Sequence, residues 1–181
     1  VYIRGHASDY DRWSQLGLTG WGWSDVLPYF RKAEDSERGA DDYHGSGGPL
    51  HTSRKGALPH VLNAAFIEAA EQAGHRRTDD FNGVQFEGVG QYDATIKDGE
   101  RFSAAKAYLT DEVRRRPNLQ IITGVQVRRV LFEGQRAVGV EYAQGPAVKT
   151  VAARETILCG GAVNSPQLLM LSGIGPGAHL Q

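Results

Sequence analysis

The rhythm of hydrophobic positions changes near residue 119. Before that point apolar residues come at helical spacing or in irregular clusters, and after it they alternate with polar ones. Leu62, Ala65, Phe66, Ala69, Ala70 and Ala73 recur three and four residues apart, which predicts a helix over 59–73 stopped by Gly74. Ser24 and Asp25 offer caps for a short helix over 25–33, with Pro28 in its first turn. Ser103 is expected to cap another helix that runs to residue 116 and ends before Pro117. The segment 1–51 otherwise reads as loop-rich and aromatic, with 35–48 as an exposed polar loop. Residues 79–90 read as irregular, 90–96 as a strand, and Lys97, Asp98 and Gly99 as a turn.

From residue 119 onward the period is two. It predicts strands over 119–123, 125–133, 137–143, 148–153 and 156–159, with Gly134 and Gln135 as a hairpin turn. Gly160 and Gly161 then allow a sharp bend, Ser165 is a natural N-cap, Pro166 suits the first helical turn, and Gly173 closes the helix. A strand, a glycine turn and a helix N-terminus form a place where an anionic cofactor can be held. The same corner can equally do no more than pack a core. The fold class expected is α/β or mixed α+β, and neither a repeat nor a composition break marks a domain boundary.

Composition narrows the functional classes. A length of 181 residues fits one domain. A net charge of −1 offers no basic surface for nucleic acid. The single cysteine, Cys159, excludes an internal disulfide framework and a cysteine zinc site. No apolar stretch is long enough to be read as a spanning helix. The chain opens on Val1 and not on methionine, so an upstream segment is expected.

Candidate chemistry is sparse. His6, Asp9 and Asp11 cluster without a compact ligand spacing, and no metal site is expected. Asp41, Asp42 and His44 beside Gly45, Gly47 and Gly48 read as an exposed turn. The HGSGGP run could offer backbone amides to a phosphate, but it lacks the Lys and Ser/Thr of a P-loop. Cys159 reads as a small residue filling a buried strand end, and Ser165 as a cap, since no nucleophile elbow surrounds it or Ser172. None of the six histidines is spaced as a catalytic pair, so no catalytic residue is assigned.

The order of residues in GGAVNSPQLLMLSGIGP, 160–176, resembles a signature of the glucose-methanol-choline (GMC) flavoprotein oxidoreductases. The resemblance extends along the chain. VYIRGHASDYDRW at 1–13 is similar to the segment after that family's N-G-M loop, and GWGWSDVLPYFRKAED at 20–35 to its aromatic helix region. HGSGGPL at 44–50 resembles H-G-x-x-G-P-L. DDFNGVQFEGVGQYDATIKDGERFSAAKAYL at 79–109 resembles the bacterial alcohol dehydrogenase and choline dehydrogenase branch. TGVQVRRVLFEGQRAVGVEY at 123–142 resembles the β-rich stretch before the signature. The family's G-x-G-x-x-G fingerprint and its catalytic histidine with a His or Asn partner are not found, so the chain is expected to be an internal fragment that binds FAD weakly or not at all by itself.

The resemblance implies FAD as the cofactor. By the same resemblance Val127 matches the valine whose backbone meets the adenine, and Gly160, Gly161 and Ala162 match the strand end beside the cofactor. Val1 would lie just past the loop at the isoalloxazine. Residues 89–95 would line part of the substrate side. The family's layout implies that 1–118 supply substrate-side, lid and helical segments, and that 119–181 supply strands and the signature helix of a Rossmann-like FAD domain. The whole enzyme would oxidise a primary alcohol, choline or aliphatic, to an aldehyde, passing hydride to flavin. Its acceptor would be a quinone, another carrier or oxygen, and its place the cytoplasm or the inner membrane surface. The alternative is a non-catalytic flavin-binding or interaction module derived from such an enzyme.

Overall fold

A computed structural model describes residues 1–54 and 60–180, without the side chains of His179 and Leu180. They form two compact units, Val1–Leu119 and Gln120–Gln181. Helices and small sheets are mixed, as the fold class expected.

The first unit opens with a helix, α1 (Ala7–Gln15), where only loop was expected. Its start is made by a residue outside the usual cap set: the His6 ring accepts from the Ser8 N–H, and Asp9 accepts from the His6 N–H. α2 (Trp23–Ala33) begins two residues earlier than Ser24 suggests, because Asp25 reaches back to the N–H of Gly22 while Asp11 takes that of Trp23. Pro28 therefore stands beyond the first turn. Tyr10 is buried between the two helices, its ring within 6 Å of those of Trp13, Trp23 and Phe30.

The polar stretch after α2 is not an exposed loop. It contributes β1 (Glu34–Ser36), which pairs in parallel with β2 (Leu50–Thr52), Glu34 opposite Leu50 and Ser36 opposite Thr52. Gly48 lies so close to the backbone of Ala33 and Glu34 that any Cβ would collide with it. α3 (Val61–Gln72) carries the predicted apolar repeat, and the expected start at Pro59 lies outside the described residues. In place of a strand over 90–96 there are isolated bridges, Tyr2 with Asp93 and Ser53 with Ala94. They precede the hairpin of β3 (Ile96–Lys97) and β4 (Glu100–Arg101), turned at Asp98 and Gly99 with positive φ at both. The helix expected from Ser103 breaks at Leu109 into α4 (Ala104–Tyr108) and α5 (Asp111–Arg114), because Thr110 recaps the chain through the Val113 N–H.

The second unit is an antiparallel meander, β5 (Gln126–Glu133), β6 (Arg136–Gln144) and β7 (Ala147–Ala152). The turn falls at Gly134 as predicted, with φ of 60°. Val130 and Tyr142 are its buried centre, and α6 (Gly161–Leu171) packs on β5. A last short helix is α7 (Gly177–Leu180). The expected strands at 119–123 and 156–159 find no ladder partner among the described residues. Among those residues no helix is long and apolar enough to cross a membrane.

Candidate functional site

The second unit contains a groove of about 610 Å³ between the start of β5 and the first half of α6. Val127, Val140, Thr156, Gly160, Ser165 and Leu168 are among its walls. Two residues picked from the sequence, Val127 and Gly160, thus meet in one cavity, and Gly161 and Ala162 come next as the first turn of α6. Val1 belongs to the other unit, where it lines a separate pocket of about 400 Å³ with Phe66, Ile67, Tyr92 and Ala94.

The bend at Gly160 and Gly161 is built differently from the sequence expectation. Gly161 has a φ of 84°, the left-handed region that favours glycine, and α6 starts there, one turn before Pro166. Ser165 is therefore not the N-cap. It sits inside the helix and its Oγ accepts the Gly160 N–H at 2.9 Å. No side chain among the described residues caps α6, so its first amides stay open to an acceptor. Nothing lies within 4 Å of the position a Cβ on Gly161 would take. Beside this bend, Thr156 Oγ1 is buried with no hydrogen-bond partner among the described residues. Cys159, expected at a buried strand end, is exposed.

The first unit holds a polar cluster that sequence reasoning misread. His44 and Glu34 have no exposed surface, and Arg4 is 5% exposed. Glu34 Oε2 accepts from Arg4 Nη2 at 2.7 Å, from His44 Nδ1 at 3.0 Å and from the Gly45 N–H at 3.2 Å, while Thr52 Oγ1 donates to Oε1. The other ring nitrogen of His44 donates to Asp80 Oδ2 at 2.9 Å. With a carboxylate on each ring nitrogen, both must carry protons, and His44 is an imidazolium. Burial pushes its pKa down, but the hydrogen bonds to Asp80 and Glu34 and their charges prevail and raise it to about 9. Burial pushes Glu34 and Asp80 up, and their bonds to His44, with Arg4, Thr52 and the Asn82 amide, hold both below the usual carboxylate range.

His44 is thus the centre of a buried charge network and not part of an exposed turn. The glycine amides that looked free for phosphate are taken internally: Gly45 by Glu34 Oε2, Gly47 by Asp35 Oδ1 and Gly48 by the Glu34 carbonyl. The available local signal was Asp41, whose carboxylate accepts from the amides of Tyr43 and His44. The deciding partners lie 10 and 36 residues away and leave no local pattern. Two other histidines, His6 and His60, serve as helix caps, and His51 faces Asp35 and Glu37.

The GMC oxidoreductase family model matches residues 1–180. The chain is similar to the mitochondrial choline dehydrogenase of Mus musculus, 56% identical over 97% of this chain and 29% of that protein. It is also similar to the oxygen-dependent choline dehydrogenase of Brucella ovis, 49% identical over all of this chain and 33% of that protein. Among solved structures it resembles pyridoxine 4-oxidase from Mesorbium loti, with a TM-score of 0.87, 41% identity, and coverage of 99% of this chain and 35% of that one. An FAD-dependent oxidoreductase from Chaetomium thermophilum gives a TM-score of 0.84 at 31% identity, over 99% of this chain and 34% of that one. The chain spans about a third of the length of the curated relatives it matches. It carries a family match over nearly every residue, and so it belongs to the GMC oxidoreductases.

Proposed function

We propose that this chain is the part of an FAD-dependent oxidoreductase that holds the cofactor along α6 and β5, and that the whole enzyme oxidises the CH–OH group of a primary alcohol, choline or an aliphatic alcohol, to an aldehyde. The single observation that carries this reading is the groove shared by Val127 and Gly160 at the uncapped N-terminus of α6. Its residues fit a nucleotide. Val127, Val140 and Leu168 offer apolar wall, Thr156 Oγ1 is a buried polar atom without a partner among the described residues, and the bend at Gly161 is open where a Cβ would stand.

Bound FAD would supply the hydride acceptor for the alcohol carbon. The chain's own residues bind and orient. The open amides at Gly161 and Ala162 favour negative charge through the helix dipole. Val127, 42% exposed and lining the groove, would meet the adenine through its backbone. Val1 and the segment 89–95 are assigned to the flavin and substrate side of the first unit. No catalytic base is assigned within this chain. The electron acceptor is a quinone, another carrier or oxygen. The names of the choline dehydrogenase relatives support choline as the first substrate to try.

Anaerobic mixing of the full-length protein with choline, and separately with an aliphatic alcohol, tests the reading. Bleaching of the flavin visible band by at least one of them is the expected result. A full-length protein without flavin, or one bleached by no primary alcohol, would overturn it.

A further inference from the structure

The buried polar residues of the first unit close into a ring. Arg4 Nη2 donates to Glu34, Glu34 accepts from His44, and His44 donates to Asp80. Asp80 Oδ1 accepts the Asn82 N–H at 2.8 Å, and Asn82 Oδ1 accepts the Arg4 N–H at 2.8 Å, which returns the path to its start. Two cations, Arg4 and His44, face two carboxylates, Glu34 and Asp80, so the ring is neutral as a whole.

Two branches leave this ring, and both end on one pocket. The Asn82 side-chain amide donates to the Tyr2 carbonyl, and the Tyr2 N–H donates to the Asp93 carbonyl at 2.6 Å, which seats Val1 beside Asp93. Phe81, held between Asp80 and Asn82, stacks on Tyr92 with ring centroids 4.4 Å apart. Val1, Tyr92 and Asp93 are walls of the 400 Å³ pocket. Arg38 engages the Asp93 carboxylate through Nε and Nη2, both at 3.0 Å, so this wall is pinned from a third direction.

We propose that the ring Arg4–Glu34–His44–Asp80–Asn82 is a positioning device for this pocket, setting Val1 through Tyr2 and Tyr92 through Phe81. The proposal rests on the assignment of Val1 and 89–95 to the flavin and substrate side of the enzyme. None of the five residues needs to touch substrate. Their role is to fix two walls whose backbone is joined through isolated bridges, Tyr2 with Asp93 and Ser53 with Ala94.

The test uses the full-length protein with His44→Gln and Asp80→Asn, read by hydrogen exchange and by alcohol kinetics. Exchange at the Tyr2 and Arg4 amides should rise by about tenfold while β6 amides stay at wild-type rates. KM for the alcohol should rise about fivefold with kcat changed less than about twofold, the pattern of a displaced binding wall. Wild-type exchange at Tyr2 and Arg4 in both variants would overturn the proposal. So would faster local exchange with KM unmoved, which would make the ring purely structural. If His44→Gln fails to fold, Asp80→Asn decides by the same criteria, since Asp80 is partly solvated. Should the protein oxidise no primary alcohol, the functional reading fails, and the exchange measurement still judges the ring.

Discussion

His44 and Glu34 face each other with no exposed surface on either residue, their Nδ1 and Oε2 atoms 3.0 Å apart. Removing His44 from this network leaves two carboxylates, Glu34 and Asp80, without the cation they share. His44→Ala would leave Glu34 to Arg4, the Gly45 N–H and Thr52 Oγ1, and Asp80 with no cation on its Oδ2. The expected loss is about 3–5 kcal/mol, seen as a fall in the denaturant midpoint of the first unit. Lys106→Ala, which breaks the exposed pair with Glu100, should leave that midpoint unmoved.

The same network predicts how stability depends on pH. His44 has a folded-state pKa of about 9 against an ordinary 6.5, so its contribution is complete below 6.5 and is lost as pH rises through 9. That displacement corresponds to about 3 kcal/mol. Glu34, Asp80 and Asp41 are held below their ordinary values, so their contributions are present above the usual carboxylate range and are lost as pH falls beneath it. Maximal stability is therefore expected between those limits, on the mildly acidic side of neutral. Denaturation midpoints measured from about pH 2 to 10 check this, and His44→Gln should flatten the alkaline limb. An unchanged alkaline limb in that variant would remove His44 as its cause.

In the second unit, one hydroxyl ties the helix to the sheet. Ser172 Oγ accepts the Val130 N–H at 2.7 Å and donates to the Leu168 carbonyl at 2.6 Å. Val130 is 5% exposed, so its amide has no ready substitute in water. Ser172→Ala should cost about 1–3 kcal/mol, whereas Ser8→Ala, at an exposed hydroxyl of α1, should cost much less. Urea unfolding of the two variants makes the comparison.

The sequence made legible whatever depends on near neighbours. The β5–β6 hairpin arises from alternation on either side of Gly134, and the α6 stop from Gly173, because period and turn chemistry act within a few residues. The site was half legible. Val127 and Gly160 were picked by resemblance, and the fold brings both to one groove. His44 was hidden by its polar surroundings: Asp41, Asp42 and the glycines describe a loop locally, while burial is imposed by Glu34 and Asp80 from elsewhere in the chain. Ser165 misled for the opposite reason. It is a good N-cap by type, but a left-handed Gly161 starts the helix a turn earlier and turns its hydroxyl back to Gly160. α1 was missed because His6, rarely a cap, supplies the acceptor.

Gly161 and Gly173 give a matched pair for locating the cofactor. Both have a φ of 84°, and at neither would a Cβ meet an atom within 4 Å beyond its chain neighbours. A Cβ at either position enters open space, so the cost common to both substitutions is backbone strain, roughly 1–2 kcal/mol from the left-handed conformation. The two differ in place: Gly161 opens α6 beside the groove, while Gly173 stands just past its end. Strain at Gly161 is relieved by moving the bend that carries the first α6 amides, and strain at Gly173 by moving the helix exit. Gly161→Val in the full-length protein should therefore lower the flavin-to-protein absorbance ratio by at least about twofold, while Gly173→Val lowers the melting temperature with flavin loading kept. Equal flavin loading in the two variants would mean that the bend at Gly161 does not hold the cofactor.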